Sequence, residues 1–128
     1  MRYRLGNQPH DTITMYIRKS GKARIIDTLK PAKYHFTVHA KLMKKLRAEI
    51  VAAHVSTLPS RYPSPSEPIA CGTGPQILTI DGYRVFVPYG TQPSPHAARH
   101  LFNTLLNLLD RRDPIEFAHV AARPAERC

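Results

Sequence analysis

The dipeptide Asp81-Gly82 separates two stretches rich in β-branched and aromatic residues, 76–80 and 83–87. A two-residue turn of type I′ needs positive φ at both central positions, and Asp-Gly is one of the pairs that adopt it most readily. We therefore predict a β-hairpin here. Its register would join four pairs of residues: Ile80 with Tyr83, Thr79 with Arg84, Leu78 with Val85, and Ile77 with Phe86. The face that carries Leu78 and Val85 should pack against a helix.

Three further strands are predicted in the first half of the chain. Residues 12–18 and 33–38 alternate between apolar and polar side chains, and residues 23–29 between them are rich in β-branched side chains. Gly21 lies in a turn after the first of these stretches, and Pro31 ends the second. The pattern predicts an antiparallel meander of three short strands.

Two amphipathic helices are predicted as well. The first spans about His39 to Val55, and its apolar stripe is formed by Leu42, Met43, Leu46, Ile50 and Ala53, with His39 beside them. The second opens at Ser94-Pro95, with Ser94 as the N-cap and Pro95 at the first helical position. A short third helix is predicted from Asp113 and should stop before Pro124.

These elements predict an α+β fold, in which an antiparallel meander and hairpins pack against two main amphipathic helices and a short C-terminal helix. Residues 1–56 would form a basic strand-strand-strand-helix module, and residues 76–128 would form a hairpin followed by two helices. Residues 57–75, rich in Pro, Ser and Gly, would link the two. We expect the two modules to share one core.

The positive charge is concentrated in the first half. Residues 1–56 hold twelve Lys or Arg and three Asp or Glu, whereas residues 57–128 hold seven and six. An unbalanced excess of this kind favours an acidic partner, most often a phosphate backbone. The candidate nucleic-acid-binding residues are Arg18, Lys19, Lys22 and Arg24 around the first predicted turn, and Lys41, Lys44, Lys45 and Arg47 on the first helix.

The predicted element order of residues 12–55, three antiparallel strands and then a helix, resembles in outline the amino-terminal DNA-binding domains of phage-type integrases. The resemblance covers less than half of the chain and involves element order alone. It implies a sheet face that lies in the major groove of DNA, and it assigns no role to any individual residue.

The seven histidines include two pairs spaced four residues apart, His35 with His39 and His96 with His100. Such a pair on a helix can supply two zinc ligands, but further ligands at suitable spacing are missing, and we expect neither a bound metal nor a cofactor. An uncharged polar stripe on the second helix would be either solvent-exposed or a contact between subunits of a homodimer. Its members are His96, His100, Asn103 and Asn107.

The sequence favours binding over catalysis. Cys71 lies in a glycine-bounded loop but matches no known nucleophile pattern, and acidic residues for acid–base catalysis are few. No apolar run reaches the roughly 20 residues of a membrane-spanning helix, so we expect no membrane partner. Two cysteines in all suit a reducing compartment, and the cytoplasm is the expected location.

Three functions remain open at this point. The first is a small protein that binds DNA or RNA, as a regulator or as an accessory factor of a phage or mobile element. The second is a protein–protein interaction module, an inhibitor or adaptor, that docks onto an acidic or nucleic-acid-bearing complex. The third is a small metal-independent nuclease or toxin.

Overall fold

The computed structural model describes residues 1–6, 12–28, 32–64, 75–88 and 90–113. Within these ranges lie six strands, two α-helices and one short 3-10 helix. In chain order they are β1 (Arg2–Leu5), β2 (Ile13–Ile17), β3 (Lys22–Asp27), β4 (Ala32–Thr37), α1 (Ala40–Ala53), the 3-10 helix (Val55–Thr57), β5 (Gln76–Ile80), β6 (Tyr83–Val87) and α2 (His96–Arg112). The predicted α+β fold is confirmed.

The strands form one antiparallel sheet in the order β4-β3-β2-β1-β5-β6. Strand β1 therefore lies inside the sheet, where it joins the meander β2-β3-β4 to the hairpin β5-β6. The sequence analysis does not predict β1, because four residues with only two apolar side chains give a weak alternating signal. Those two side chains, Tyr3 and Leu5, are fully buried.

This inner strand changes the comparison with the integrase domains. Four strands rather than three precede α1, and the sheet continues beyond β1 into β5 and β6. Within residues 12–55 the order is still three strands and then a helix, so the outline on which that resemblance depends is present as one part of a larger sheet.

The hairpin between β5 and β6 has the predicted register in all four pairs. Asp81 and Gly82 have φ values of 49° and 80°, as a type I′ turn requires. The turn between β2 and β3 depends on Gly21, which has a φ of 93°. A Cβ atom at this position would lie 2.8 Å from the carbonyl oxygen of Val38, so the turn has room for glycine alone.

One face of the sheet, the core face, packs against both helices. Alternation along the strands places mostly apolar side chains on this face, and α1 and α2 cover them with their apolar stripes. The fully buried members of this cluster include Tyr3, Leu5, Ile13, Met15 and Ile25 from one half of the chain and Leu78, Val85, Leu101, Phe102 and Leu105 from the other. Each such side chain contributes about 1.5–3 kcal/mol by leaving water.

Both helices begin slightly later than predicted, and α1 also ends earlier. His39 is not part of the α1 stripe but its N-cap, and its Nδ1 accepts a hydrogen bond from the Leu42 N–H at 3.2 Å. Helix α1 ends at Ala53, and its C-cap His54 has a backbone in the left-handed conformation. Helix α2 has Pro95 rather than Ser94 at the cap position.

Pro95 has no side-chain donor or acceptor, so the N-cap position of α2 lacks the side-chain hydrogen bond that was expected from Ser94. The Ser94 carbonyl oxygen accepts a hydrogen bond from the Tyr62 hydroxyl at 2.5 Å. At the other end of α2, Asp113 is buried and acts as the C-cap. The third helix that was predicted from Asp113 lies outside the described residues.

Part of the stretch 57–75 belongs to the folded body. Leu58 and Tyr62 are buried in the core cluster, and the Tyr62 N–H donates to the carbonyl of Phe86 at 2.9 Å. The Phe86 N–H in turn donates to the carbonyl of Ser60 at 2.9 Å, so residues 60–62 run beside β6. Residues 65–74, with Cys71, lie outside the described part of the chain.

Candidate nucleic-acid interface

The second face of the sheet, the open face, carries the strand residues that alternate with the core. Residues paired across antiparallel strands project to the same side, so the register defines this face directly. From β4 to β6 its members are Lys33, His35, Thr37, Lys22, Arg24, Ile26, Thr14, Tyr16, Arg2, Arg4, Ile77, Thr79, Arg84 and Phe86. Neither α1 nor α2 packs on this side, because both belong to the cluster on the core face.

The open face is basic throughout. Six of its side chains are Lys or Arg: Arg2, Arg4, Lys22, Arg24, Lys33 and Arg84. None of the acidic residues in the described strands points to this side, since Asp27 pairs with Ile13 on the core face. Ordinary solubilising surfaces mix both signs of charge, so this face differs from a merely solvated one.

Two aromatic rings lie among these charges, and an arginine stacks on each. The guanidinium carbon of Arg24 lies 4.5 Å from the ring centre of Tyr16. That of Arg61, from the segment beside β6, lies 4.3 Å from the ring centre of Phe86. Both distances are typical of cation–π contacts, which limit the motion of the guanidinium groups.

A depression of about 450 Å³ opens beside the first of these pairs. It is lined by Tyr16, Arg24 and His35 of the open face, and by Arg18 and Lys22 at the adjoining end of the β2–β3 hairpin. A negatively charged group placed here would lie near four cationic side chains, those of Arg18, Lys19, Lys22 and Arg24.

The structure divides the predicted basic residues into groups. Lys22 and Arg24 lie on the open face, while Arg18 and Lys19 are exposed at the β2–β3 turn. Arg47 reaches this turn from α1, and its guanidinium donates a hydrogen bond to the Lys19 carbonyl at 3.1 Å. Arg47 therefore lies beside the basic turn.

The three lysines of α1 point elsewhere. Lys41, Lys44 and Lys45 are exposed and form what we call the outer face of α1, which lies away from its buried residues Met43 and Leu46. Because α1 packs on the core face of the sheet, these lysines lie on the other side of the molecule from the open face.

The sequence analysis missed Arg2, Arg4, Lys33, Arg61 and Arg84 as candidate binding residues. The first two belong to the strand that was not predicted, and the last two lie in the half of the chain that is nearly neutral overall. The alternation of Arg2-Tyr3-Arg4-Leu5 was the available signal, since basic and apolar side chains on opposite sides of a strand describe a charged face over a core.

The histidines do not gather into a metal site among the described residues. His35 lies on the open face and His39 caps α1, so this pair is divided between two elements. His96 and His100 contact each other on α2, with 2.8 Å between their Nε2 atoms. No group of three or more His, Cys, Asp or Glu side chains that would suit a metal is present in the described ranges.

The uncharged stripe on α2 is exposed along its whole length. This is the case for each of His96, His100, Asn103 and Asn107. Its role as a subunit contact stays a prediction. Neither described helix is both long enough and apolar enough to cross a membrane.

Comparisons of the sequence with models of protein families and with curated proteins find no significant match. The function is therefore inferred from the geometry and charge of the open face.

Proposed function

We propose that this protein binds nucleic acid on the open face of its sheet and acts as a regulator or as an accessory factor of a phage or mobile element. The observation that supports binding most directly is a broad sheet face with six Lys or Arg side chains and no acid from the described strands. Phosphate groups are the common cellular ligands that present negative charge at regular spacing along an extended surface.

Arginine predominates on this face over lysine. Arg2, Arg4, Arg24 and Arg84 lie on it together with two lysines. A guanidinium presents a planar set of donors that matches two phosphate oxygens at once, whereas an ammonium acts as a point charge. Strands also hold these side chains on a rigid support, which lowers the entropy lost when a ligand binds.

The outer face of α1 adds charge at a distance. Its lysines lie beyond the roughly 8–10 Å over which salt at physiological strength screens a charge, so they act on the approach of a polyanion rather than on the bound state. We assign to them a contribution to the association rate.

The test is the binding of a labelled oligonucleotide, followed by fluorescence anisotropy at salt concentrations from about 50 mM upward. Each neutralised phosphate of a single strand lowers the slope of log K against log salt by about 0.7, so six contacts give a slope of about −4. Absence of binding at the lowest salt would contradict the proposal. Binding only to an acidic protein would favour the interaction module, and cleavage of the probe without metal would favour a nuclease.

A further inference from the structure

We propose that the ligand of the open face is single-stranded nucleic acid, whose bases stack on the two arginine–aromatic pairs, Tyr16 with Arg24 and Phe86 with Arg61. This inference depends on the proposed function and specifies the form of the nucleic acid and the residues that receive its bases.

The width of the sheet argues against a duplex groove as the ligand. Six strands at about 4.8 Å spacing give a face about 24 Å across. The major groove of B-DNA is about 12 Å wide and admits a helix or a two-stranded ribbon. A duplex would therefore touch the open face only through its outermost phosphates, whereas a single strand can lie across it with its bases turned toward the protein.

The two arginine–aromatic pairs are the surfaces that bases would use. Tyr16 and Phe86 are both half-buried. The part of each ring next to the sheet is held by its neighbours, while the outer part remains accessible. A base can stack on the planar guanidinium, or on the ring itself once the arginine turns toward a phosphate. Strands β1 and β5 separate the two pairs, which places them about 14 Å apart across the sheet.

The surface between the pairs contains polar atoms that lack partners. Arg4 Nε and Thr79 Oγ1 are shielded from water, yet neither has a hydrogen-bond partner within the described part of the chain. Buried polar atoms in folded proteins are nearly always paired. A nucleic-acid strand that crosses from Tyr16 to Phe86 passes over both residues, and its phosphate and base oxygens would supply acceptors once the covering groups move aside.

The depression beside Tyr16 gives the bound nucleic-acid strand a defined position. Its volume of about 450 Å³ falls within the roughly 300–1,000 Å³ of pockets that bind small molecules. It thus has room for a single nucleotide, with the base against Tyr16 and the phosphate near Lys22. Tyr16 lines this depression and Phe86 does not, so we expect Tyr16 to contribute more than Phe86.

The first experiment compares single-stranded nucleic acid with a DNA duplex. Labelled oligothymidylate of about 15 nucleotides, the oligouridylate of the same length, and the duplex of the DNA with its complement are titrated with the protein. Charge density alone favours the duplex, so tighter binding of either single strand identifies base contacts. The oligodeoxyuridylate of the same length separates the effect of the sugar from that of the thymine methyl group.

The second experiment removes the rings and keeps the charges. Tyr16→Leu and Phe86→Leu should each weaken single-strand binding by about fivefold or more without changing the salt slope. Tyr16→Phe retains the ring and should bind within about twofold of the wild type. Tyr34→Leu is the matched control, because Tyr34 pairs with Ile25 on the core-face side of the edge strand β4. Thermal unfolding by circular dichroism confirms that each variant is folded.

Intrinsic fluorescence supplies an independent readout. The protein contains no tryptophan, so its emission comes from tyrosine, and a base stacked on Tyr16 should quench part of it. Tyr16→Phe should bind with less quenching than the wild type.

Equal or tighter binding of the duplex, or unchanged single-strand binding by both leucine variants, would overturn the inference and leave the proposed function standing. Failure of all the probes to bind at low salt would remove the proposed function as well.

Discussion

The open face of the sheet and the outer face of α1 are both basic, but they differ in composition and in rigidity. The open face combines arginines with two aromatic rings, and its side chains project from paired strands. The outer face of α1 carries three lysines and no aromatic residue, and the Nζ atom of Lys45 lies 3.9 Å from a Glu49 carboxylate oxygen. Net charge attracts a polyanion to both, but only the first surface offers planar groups and fixed geometry for binding it.

The largest expected effect comes from reversing equal numbers of charges on the two surfaces. The open-face variant is Lys22→Glu, Arg24→Glu and Arg84→Glu, and its matched control is Lys41→Glu, Lys44→Glu and Lys45→Glu. All six residues are exposed, so both variants should fold. At about 50 mM salt, three lost phosphate contacts weaken single-strand binding by about 10²- to 10³-fold.

The α1 variant should lose less than about tenfold in single-strand affinity. The loss should fall mainly on the association rate, because the lysines of α1 act at a distance. Stopped-flow anisotropy separates the two rates. If the α1 variant loses as much affinity as the open-face variant, the comparison fails and the helix belongs to the interface.

The two glycine turns give the next largest effect, and they test how firmly each end of the open face is held. Gly21→Ala adds a Cβ atom 2.8 Å from a backbone oxygen at a φ of 93°, whereas Gly82→Ala meets nothing within 4 Å at a φ of 80°. We expect a loss of about 3 kcal/mol for Gly21→Ala and about 1 kcal/mol for Gly82→Ala.

Urea denaturation of the two variants measures the difference. Equal losses would mean that the β2–β3 turn, which holds Lys22 and Arg24, adapts to the added atom. That result would weaken the argument that the open face is preorganised.

Much of the fold could be predicted from local patterns, and much of the candidate site could not. The Asp81-Gly82 turn specifies its own geometry, and the register of β5 and β6 follows from it. Strand β1 gives no such signal, because its place in the sheet depends on pairing with β5, more than 70 residues further along the chain. The open face is assembled by that long-range pairing, so Arg2 and Arg84 become neighbours of Thr79 only after folding.

The same strand β1 allows the two faces of the sheet to be tested separately. Tyr3 points into the core, where its hydroxyl donates to the side-chain oxygen of Gln76 at 2.6 Å. Tyr3→Phe leaves that buried oxygen unpaired and should lower the free energy of unfolding by about 2 kcal/mol, with nucleic-acid affinity unchanged. Arg2→Gln should do the reverse, with intact stability and roughly five- to tenfold weaker binding at about 50 mM salt.

Tyr3 also gives the pH dependence a definite sign. Burial raises the pKa of the Tyr3 phenol well above its ordinary value, so the folded protein keeps this group neutral while the unfolded chain ionises above about pH 10. The contribution of the neutral Tyr3 phenol to the free energy of unfolding is fully present below about pH 10 and is lost as the pH rises further. Denaturation at rising pH should therefore show a shallower decline in Tyr3→Phe than in the wild type.

Some decline should remain in the variant, because burial also raises the pKa of Tyr62, with a smaller contribution from the charge of Tyr83. Parallel curves for wild type and Tyr3→Phe would contradict the assignment of this pH dependence to the core.

The smallest effect concerns the contact between α1 and α2. The Thr104 hydroxyl lies 2.7 and 2.9 Å from the two carboxylate oxygens of Glu49, to one of which it donates. Thr104→Val removes this donor and should cost about 1 kcal/mol in urea denaturation, while Thr104→Ser keeps the hydroxyl and should stay close to the wild type. Neither substitution touches the open face, so both variants should bind single strands normally. A fall in affinity for Thr104→Val would contradict the assignment of binding to the open face alone.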